Sequence, residues 1–193
     1  MQWTLPGTTL TAPMEEAEQT DALFRSLFLA GGLTLSQVAS ITGLEPYTIQ
    51  NWVRRGFLAP PVRKRYTMEQ VCRLININLL RGILPLEQIL NLMRYLNGDL
   101  ADESDDLVDD TMLYFQFVIL AAHARSLRED NLDEALDAVT ESYRESVAGA
   151  REKLKQVLKV MLLTWQANCL KARADSLLSA LEISHEQGEM QHG

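Results

Sequence analysis

The chain has little of what most enzyme chemistries require. Its 193 residues include only two cysteines and three histidines. Cys72 and Cys169 lie far apart inside helical patterns, not as the clustered ligands of a metal site. They read as buried free thiols of a reducing compartment. His123, His185 and His192 are scattered, and two of them sit near the end of the chain. No GxxxxGK or GxGxxG loop is present to cradle a phosphate, and there is no GxSxG or HExxH. The run ADESDDLVDD, residues 101–110, holds paired carboxylates. As a solvated spacer or the start of a helix, it does not fix two groups at the separation acid–base catalysis needs. These absences point to a non-enzymatic protein with no cofactor and no bound metal.

Long apolar runs are also missing. The longest, residues 117–122, is about a third of the roughly 18 residues of a membrane span. Residues 1–13 carry no basic side chain, and Glu15, Glu16 and Glu18 follow at once, which is not the pattern of a signal peptide. The expectation is a soluble cytoplasmic protein without membrane association. Aromatic residues make up 7% of the chain, which favours Leu- and Ala-rich helix packing over a β-sandwich.

What is present is a charge asymmetry. The net charge is -8, but residues 33–98 carry +5, with Arg54, Arg55, Arg63, Lys64, Arg65, Arg73, Arg81 and Arg94 against Glu45, Glu69 and Glu87. Residues 1–32 carry -3 and residues 99–193 carry -10. Such a local basic excess is a better guide to partners than the total. It is densest between Arg54 and Arg65.

The same stretch has the clearest local pattern. Leu35, Val38, Ala39 and Ile41 fall on one face of a short helix. Gly43-Leu44 interrupts it, glycine tolerating the positive φ of such a turn. Pro46 suits the first turn of a second helix, in which Ile49 and Trp52 face inward and Tyr47, Thr48, Gln50, Asn51 and Arg54 face outward. This is a helix-turn-helix order. Gly56 ends the second helix, Pro60-Pro61 is not helical, and residues 62–66 form a basic, strand-like run. Thr67 with Gln70 has capping-box spacing for a third helix.

Helix, turn, helix, glycine, basic wing and capped helix together resemble the DNA-binding domain of MerR-type bacterial regulators. The residues that carry the resemblance are Gly43, Leu44, Pro46, Trp52 and Gly56-Phe57-Leu58, then Lys64 two before Tyr66-Thr67. Val71, Leu74, Ile77, Leu80, Gly82 and Leu86-Glu87-Gln88-Ile89 continue it. Gln50 stands where the family usually has Arg, and the wing has no Gly-rich tip. The chain as a whole also resembles an uncharacterised bacterial family that pairs such a domain with an all-helical C-terminal part.

The organisation expected is an all-α protein with a small β-wing: a winged helix-turn-helix followed by a helical bundle. Residues 1–32 form an extended, partly ordered arm and a helix from Pro13 or Met14 to about Ala30, with Leu23, Phe24, Leu27 and Phe28 on its apolar face. Residues 33–98 are the winged domain, 99–110 an acidic linker, 111–183 a helical domain and 184–193 a polar, frayed tail. Within the helical domain, one helix spans about 107–127 and is apolar nearly all round, with His123 packed or hydrogen-bonded beside it. Helical pattern resumes at Asn131, with a bend or break near residues 147–150. The stripe Leu154, Val157, Leu158, Met161, Leu162 and Trp165 reads first as bundle core and second as a dimer seam, its heptad spacing not continuing past Asn168.

The resemblance implies a sequence-specific transcriptional regulator that binds double-stranded DNA as a homodimer, with room for an unidentified small-molecule effector. Tyr47, Gln50 and Asn51 are candidates for base edges. Arg54, Arg55, Arg63, Lys64 and Arg65 are candidates for phosphates, joined by hydrogen bonds from Thr48 and Tyr66. The alternative is a protein-interaction module built on the same scaffold, which the acidic total favours.

Overall fold

The fold is built around a helix that its sequence caps firmly at one end. Thr67 accepts from the Gln70 backbone at 3.2 Å while the Gln70 side chain accepts from the Thr67 backbone at 3.0 Å. That reciprocal pair satisfies two N-terminal donors of α4, Met68–Leu80. Nearly every residue of α4 is buried, including Arg73 and Asn76. The computed structural model describes residues 1–98, 100 and 106–190. They form a mostly helical protein with one small two-stranded sheet.

The sheet is not where the sequence suggested. It is an antiparallel hairpin, β1 (Gln2–Thr4) with β2 (Thr11–Pro13), with Trp3 opposite Ala12. The extended arm expected here is instead a fixed part of the core. Leu5 is fully buried, the Thr9 amide donates to the Ile41 carbonyl at 2.8 Å, and the Tyr114 hydroxyl donates to the Pro6 carbonyl at 3.0 Å. A 3-10 turn, Met14–Gln19, precedes α1, Thr20–Leu27. The single helix to Ala30 is thus shorter and divided, with non-helical backbone at Glu16. On its apolar face Phe24 is buried against Tyr114 and Phe115, at ring-centre distances of 5.4 and 5.5 Å, but Leu23 is exposed.

Next come α2 (Leu35–Thr42), α3 (Pro46–Arg54), α4 and α5 (Leu86–Asn97). The part of the acidic run within the described residues is no solvated spacer. Asp109 caps α6 (Asp110–Ala122) by accepting from the Met112 amide at 2.8 Å. Asp106 and Asp110 are buried against Arg73, at 3.0 and 2.5 Å. Asn76 Nδ2 donates to Asp110 at 3.2 Å. Burial pushes the Asp110 carboxyl up, and Arg73 and Asn76 pull it back. Residues 101–105 of that run lie outside the described residues.

The α6 helix is shorter at both ends than 107–127, but it is surrounded as its composition implies: α1, α4, α7 (Leu132–Thr140) and α8 (Ala150–Met190) all touch it. His123 is exposed at its C-terminal end. A buried cluster runs from Leu5 through Trp52 and Leu74 to Leu162, so helices on both sides of the acidic run share one core.

The break expected near 147–150 is real and wider, since α7 ends at Thr140 and α8 begins at Ala150. Helix α8 spans Ala150–Met190, through the segment from Ser184 that reads as a tail; residues 191–193 lie outside the described residues. Leu154, Val157, Leu158, Met161 and Leu162 are its core stripe. A second stripe follows another face: Val160, Leu163, Ala167, Leu170, Ala174, Leu177 and Leu181, at alternating steps of three and four. Its five Leu and Val members are exposed, and every residue from 169 to 181 is exposed. This second stripe keeps a three–four repeat past Asn168, on a different face from the stripe of Leu154 to Trp165. Cys169 shares this exposure, while Cys72 is fully buried.

Candidate nucleic-acid interface

The turn between α2 and α3 forms for local reasons. Thr34 and Gln37 make a capping box at the start of α2, and Gly43, at φ 65°, ends it in the left-handed conformation. Glu45 is extended and Pro46 takes the first position of α3, where its missing N–H costs nothing. Ile49 and Trp52, 0% and 5% exposed, anchor α3 inward. The side chains left outward are largely those expected: Tyr47, Gln50, Arg54 and Arg55 are exposed, and Thr48 and Asn51 are half-buried.

The basic segment after α3 is a tight reversal, not a pair of regular strands. Val62 and Arg65 form an isolated antiparallel bridge, with the Arg65 amide donating to the Val62 carbonyl at 2.9 Å. Between them Arg63 and Lys64 have φ of 50° and 63°. A two-residue turn with both central φ values positive ordinarily takes Asn-Gly or Gly-Gly. Among the described residues these are the non-glycine positions with positive φ. Each L-residue held there costs about 1–2 kcal/mol. No side chain in the pair relieves that cost locally, so the surrounding framework imposes it.

That framework is visible. Leu33 and Tyr66 exchange backbone hydrogen bonds at 3.0 and 2.8 Å, which ties the reversal to the segment before α2. Gly32 makes the approach possible: a Cβ on it would sit 2.9 Å from the Tyr66 carbonyl oxygen. The Arg65 guanidinium donates to the Gly32 carbonyl at 2.8 Å. Gln70 Nε2 donates to the Ala59 carbonyl at 3.0 Å, fixing the segment that enters the turn. Arg55 lies over the Phe57 ring, 4.6 Å from its centre, which sets the direction of its guanidinium.

Two of the basic-patch expectations change. Tyr66 is 3% exposed; its ring belongs to the core, and burial pushes its hydroxyl up. Arg73, counted in the local excess of +5, is buried and matched by two carboxylates. The charge open to a partner is therefore Arg54, Arg55, Arg63, Lys64 and Arg65. The strained tip had no sequence signal, because Arg-Lys carries none of the composition of such a turn.

Residues 32–117 match the family model described as Domain of unknown function (DUF1836). The match begins at the glycine that admits Tyr66 and ends inside α6, so it takes in the interface and part of the helix packed on α4. The chain is 27% identical over 161 residues to the uncharacterised protein YkrK of Bacillus subtilis (strain 168), covering 74% of this chain and 69% of that protein. No solved structure matches. The similarities support an uncharacterised bacterial family, and neither name carries an activity.

Proposed function

We propose that this chain is a MerR-like winged helix-turn-helix regulator that binds double-stranded DNA in the cytoplasm. The observation that carries the reading is the Arg63-Lys64 tip. Two adjacent cations are held in a costly backbone conformation beside a helix whose outer face is polar. Strain of this kind persists where presentation of the side chains matters more than stability. In this reading α3 lies in the major groove, with Tyr47, Gln50 and Asn51 at base edges. Arg54, Arg55, Arg63, Lys64 and Arg65, with Thr48, hold phosphates.

A single helix-turn-helix reads few bases, and dimers reading two half-sites solve that problem. The outward heptad stripe of α8 supplies a seam for a second copy, because a three–four repeat of apolar residues is what two helices interdigitate. The seam is thus 160–181, and the 154–165 stripe is core. Leu170→Glu with Leu177→Glu should convert a micromolar homodimer to a monomer in light scattering without changing the melting of the body. A wild-type monomer, with and without DNA, contradicts this part.

The direct test is anisotropy of labelled bulk duplex at low and rising salt, for wild type and for Arg63→Ala, Lys64→Ala, Arg65→Ala together. Wild type should bind, and the triple variant should bind all duplexes more weakly with a shallower salt dependence. No binding by wild type at low salt leaves the protein-interaction module, which the net charge of -8 favours.

A further inference from the structure

A cleft of about 660 Å³ lies on the side of the core where the N-terminal hairpin, the end of α6 and the outer part of α8 meet. Small-molecule sites commonly fall in this size range. Its walls are Trp3 of β1 and Trp165 of α8, both half-buried. Trp165 stands edge-on to Phe117, at 6.1 Å and 83°, which holds its ring plane. Ala121 and Ala122 of α6 also line it; such short side chains leave the space open.

The charged groups that line the cleft are both arginines, beside the Gln166 amide and the Cys169 thiol. Arg125 follows α6, Arg173 lies on α8, and both line the cleft and are exposed. Among the described residues neither is in an ion pair. On α8 Lys155, Lys159 and Lys171 each have a carboxylate partner, while Arg151 donates to the Tyr143 carbonyl and Lys153 lies over the Tyr95 ring. The chain carries a net charge of -8 and has acids to spare. Among the described residues no acidic side chain lines the cleft. Among the described residues the buried Trp3 indole N–H has no acceptor, an unfavourable state for a donor.

We infer that this cleft binds a small planar aromatic carboxylate, its ring between Trp3 and Trp165 and its carboxylate on Arg125 and Arg173. Flat aromatic walls select a flat apolar body. Guanidinium groups arriving from two elements select a carboxylate, which they can grip with paired N–H donors. A cation of the same shape meets two like charges and is refused. The inference does not rest on the DNA contacts, since the cleft lies on elements other than α3 and the 62–65 turn; Leu170 of the proposed seam also lines its edge.

The test uses the full chain and two probes on one ring system, naphthalene-2-carboxylate and 2-naphthylmethylammonium. Binding is followed by calorimetry and tryptophan emission. Two of the three tryptophans line the cleft, and Trp52 is in the core. The carboxylate should saturate with a dissociation constant in the millimolar range or below. The ammonium probe should bind about tenfold more weakly or worse. Arg125→Gln with Arg173→Gln, both exposed, should keep the circular dichroism of wild type and lose about tenfold in affinity for the carboxylate. Cys169, the exposed thiol on the cleft, should be alkylated more slowly when the carboxylate is present. Absence of saturation, equal binding of the ammonium probe, or unchanged affinity in the folded double variant overturns the inference.

Discussion

Arg73 and the Arg63-Lys64 pair lie ten residues or less apart in sequence and use positive charge in opposite ways. Arg73 is 2% exposed and enclosed by Asp106, Asp110 and the Leu100 carbonyl. Arg63 and Lys64 are exposed, and no ion pair among the described residues engages them. The enclosed charge joins α4 to the start of α6, and so links the segments on either side of the acidic run. The open charge is held in place by backbone, and no counter-ion among the described residues engages it. A count of basic residues treats the two alike. Their environments separate a structural cation from cations kept for a partner.

The largest expected effect comes from breaking the enclosed side. Arg73→Ala leaves Asp106 and Asp110 buried without their guanidinium. Removing one partner of a buried pair costs about 3–5 kcal/mol. Urea melts should show that loss, and the body should loosen between α4 and α6. Arg73→Met with Asp106→Leu and Asp110→Leu should recover much of it, because apolar replacements of similar volume are often neutral or better. If Arg73→Ala melts like wild type, the enclosed cluster is not a structural link.

The next effect separates anchoring from reading within α3. Trp52→Ala should cost about 3–5 kcal/mol of stability, as large core truncations do. Gln50→Ala and Asn51→Ala should change stability by about 0.5 kcal/mol or less, Asn51 being half-buried and the more sensitive of the two. On a preferred DNA site each should cost about 1–3 kcal/mol of affinity and little on random duplex. Early melting of Gln50→Ala, or full retention of site preference by both, places the reading face elsewhere.

Much of the N-terminal half was legible because its signals are local. Gly43, Pro46 and the Thr67–Gln70 box each act within a few residues, and the helices they delimit form as the spacing implies. Signals that depend on distant partners were not legible. Pro6-Gly7 is turn chemistry, but only packing against α2 and α6 makes residues 1–13 part of the core. The acidic run reads as solvated because its cation, Arg73, lies over thirty residues away for Asp106 and Asp110. On α8 two apolar stripes overlap in the linear pattern, and burial separates them only once the inner one meets α4, α5, α6 and α7. For the candidate site, the polar face of α3 was legible. The left-handed tip was not, because the strain is set by the Leu33–Tyr66 bridge and Gly32.

The smallest expected effect is the sharpest test of the open side. At φ of 50° and 63° Arg63 and Lys64 occupy positions that favour glycine. Arg63→Gly or Lys64→Gly removes about 1–2 kcal/mol of local backbone cost. It also loosens the unfolded chain, which takes back about 0.4–1 kcal/mol. The net should be a gain of about 0.5–1 kcal/mol in stability. The same changes remove a cation, so DNA affinity should fall on every sequence. The salt slope should fall by about 0.9 for each phosphate that is no longer neutralised. Thermal melting and a salt titration on each glycine variant read both quantities. A higher melting temperature with weaker, less salt-sensitive binding means that stability is given up at the tip to present charge. Lower stability means that the side chains, not the framework, hold the turn. A higher melting temperature with unchanged DNA binding would leave the strain without a nucleic-acid role and remove the observation on which the regulator reading rests.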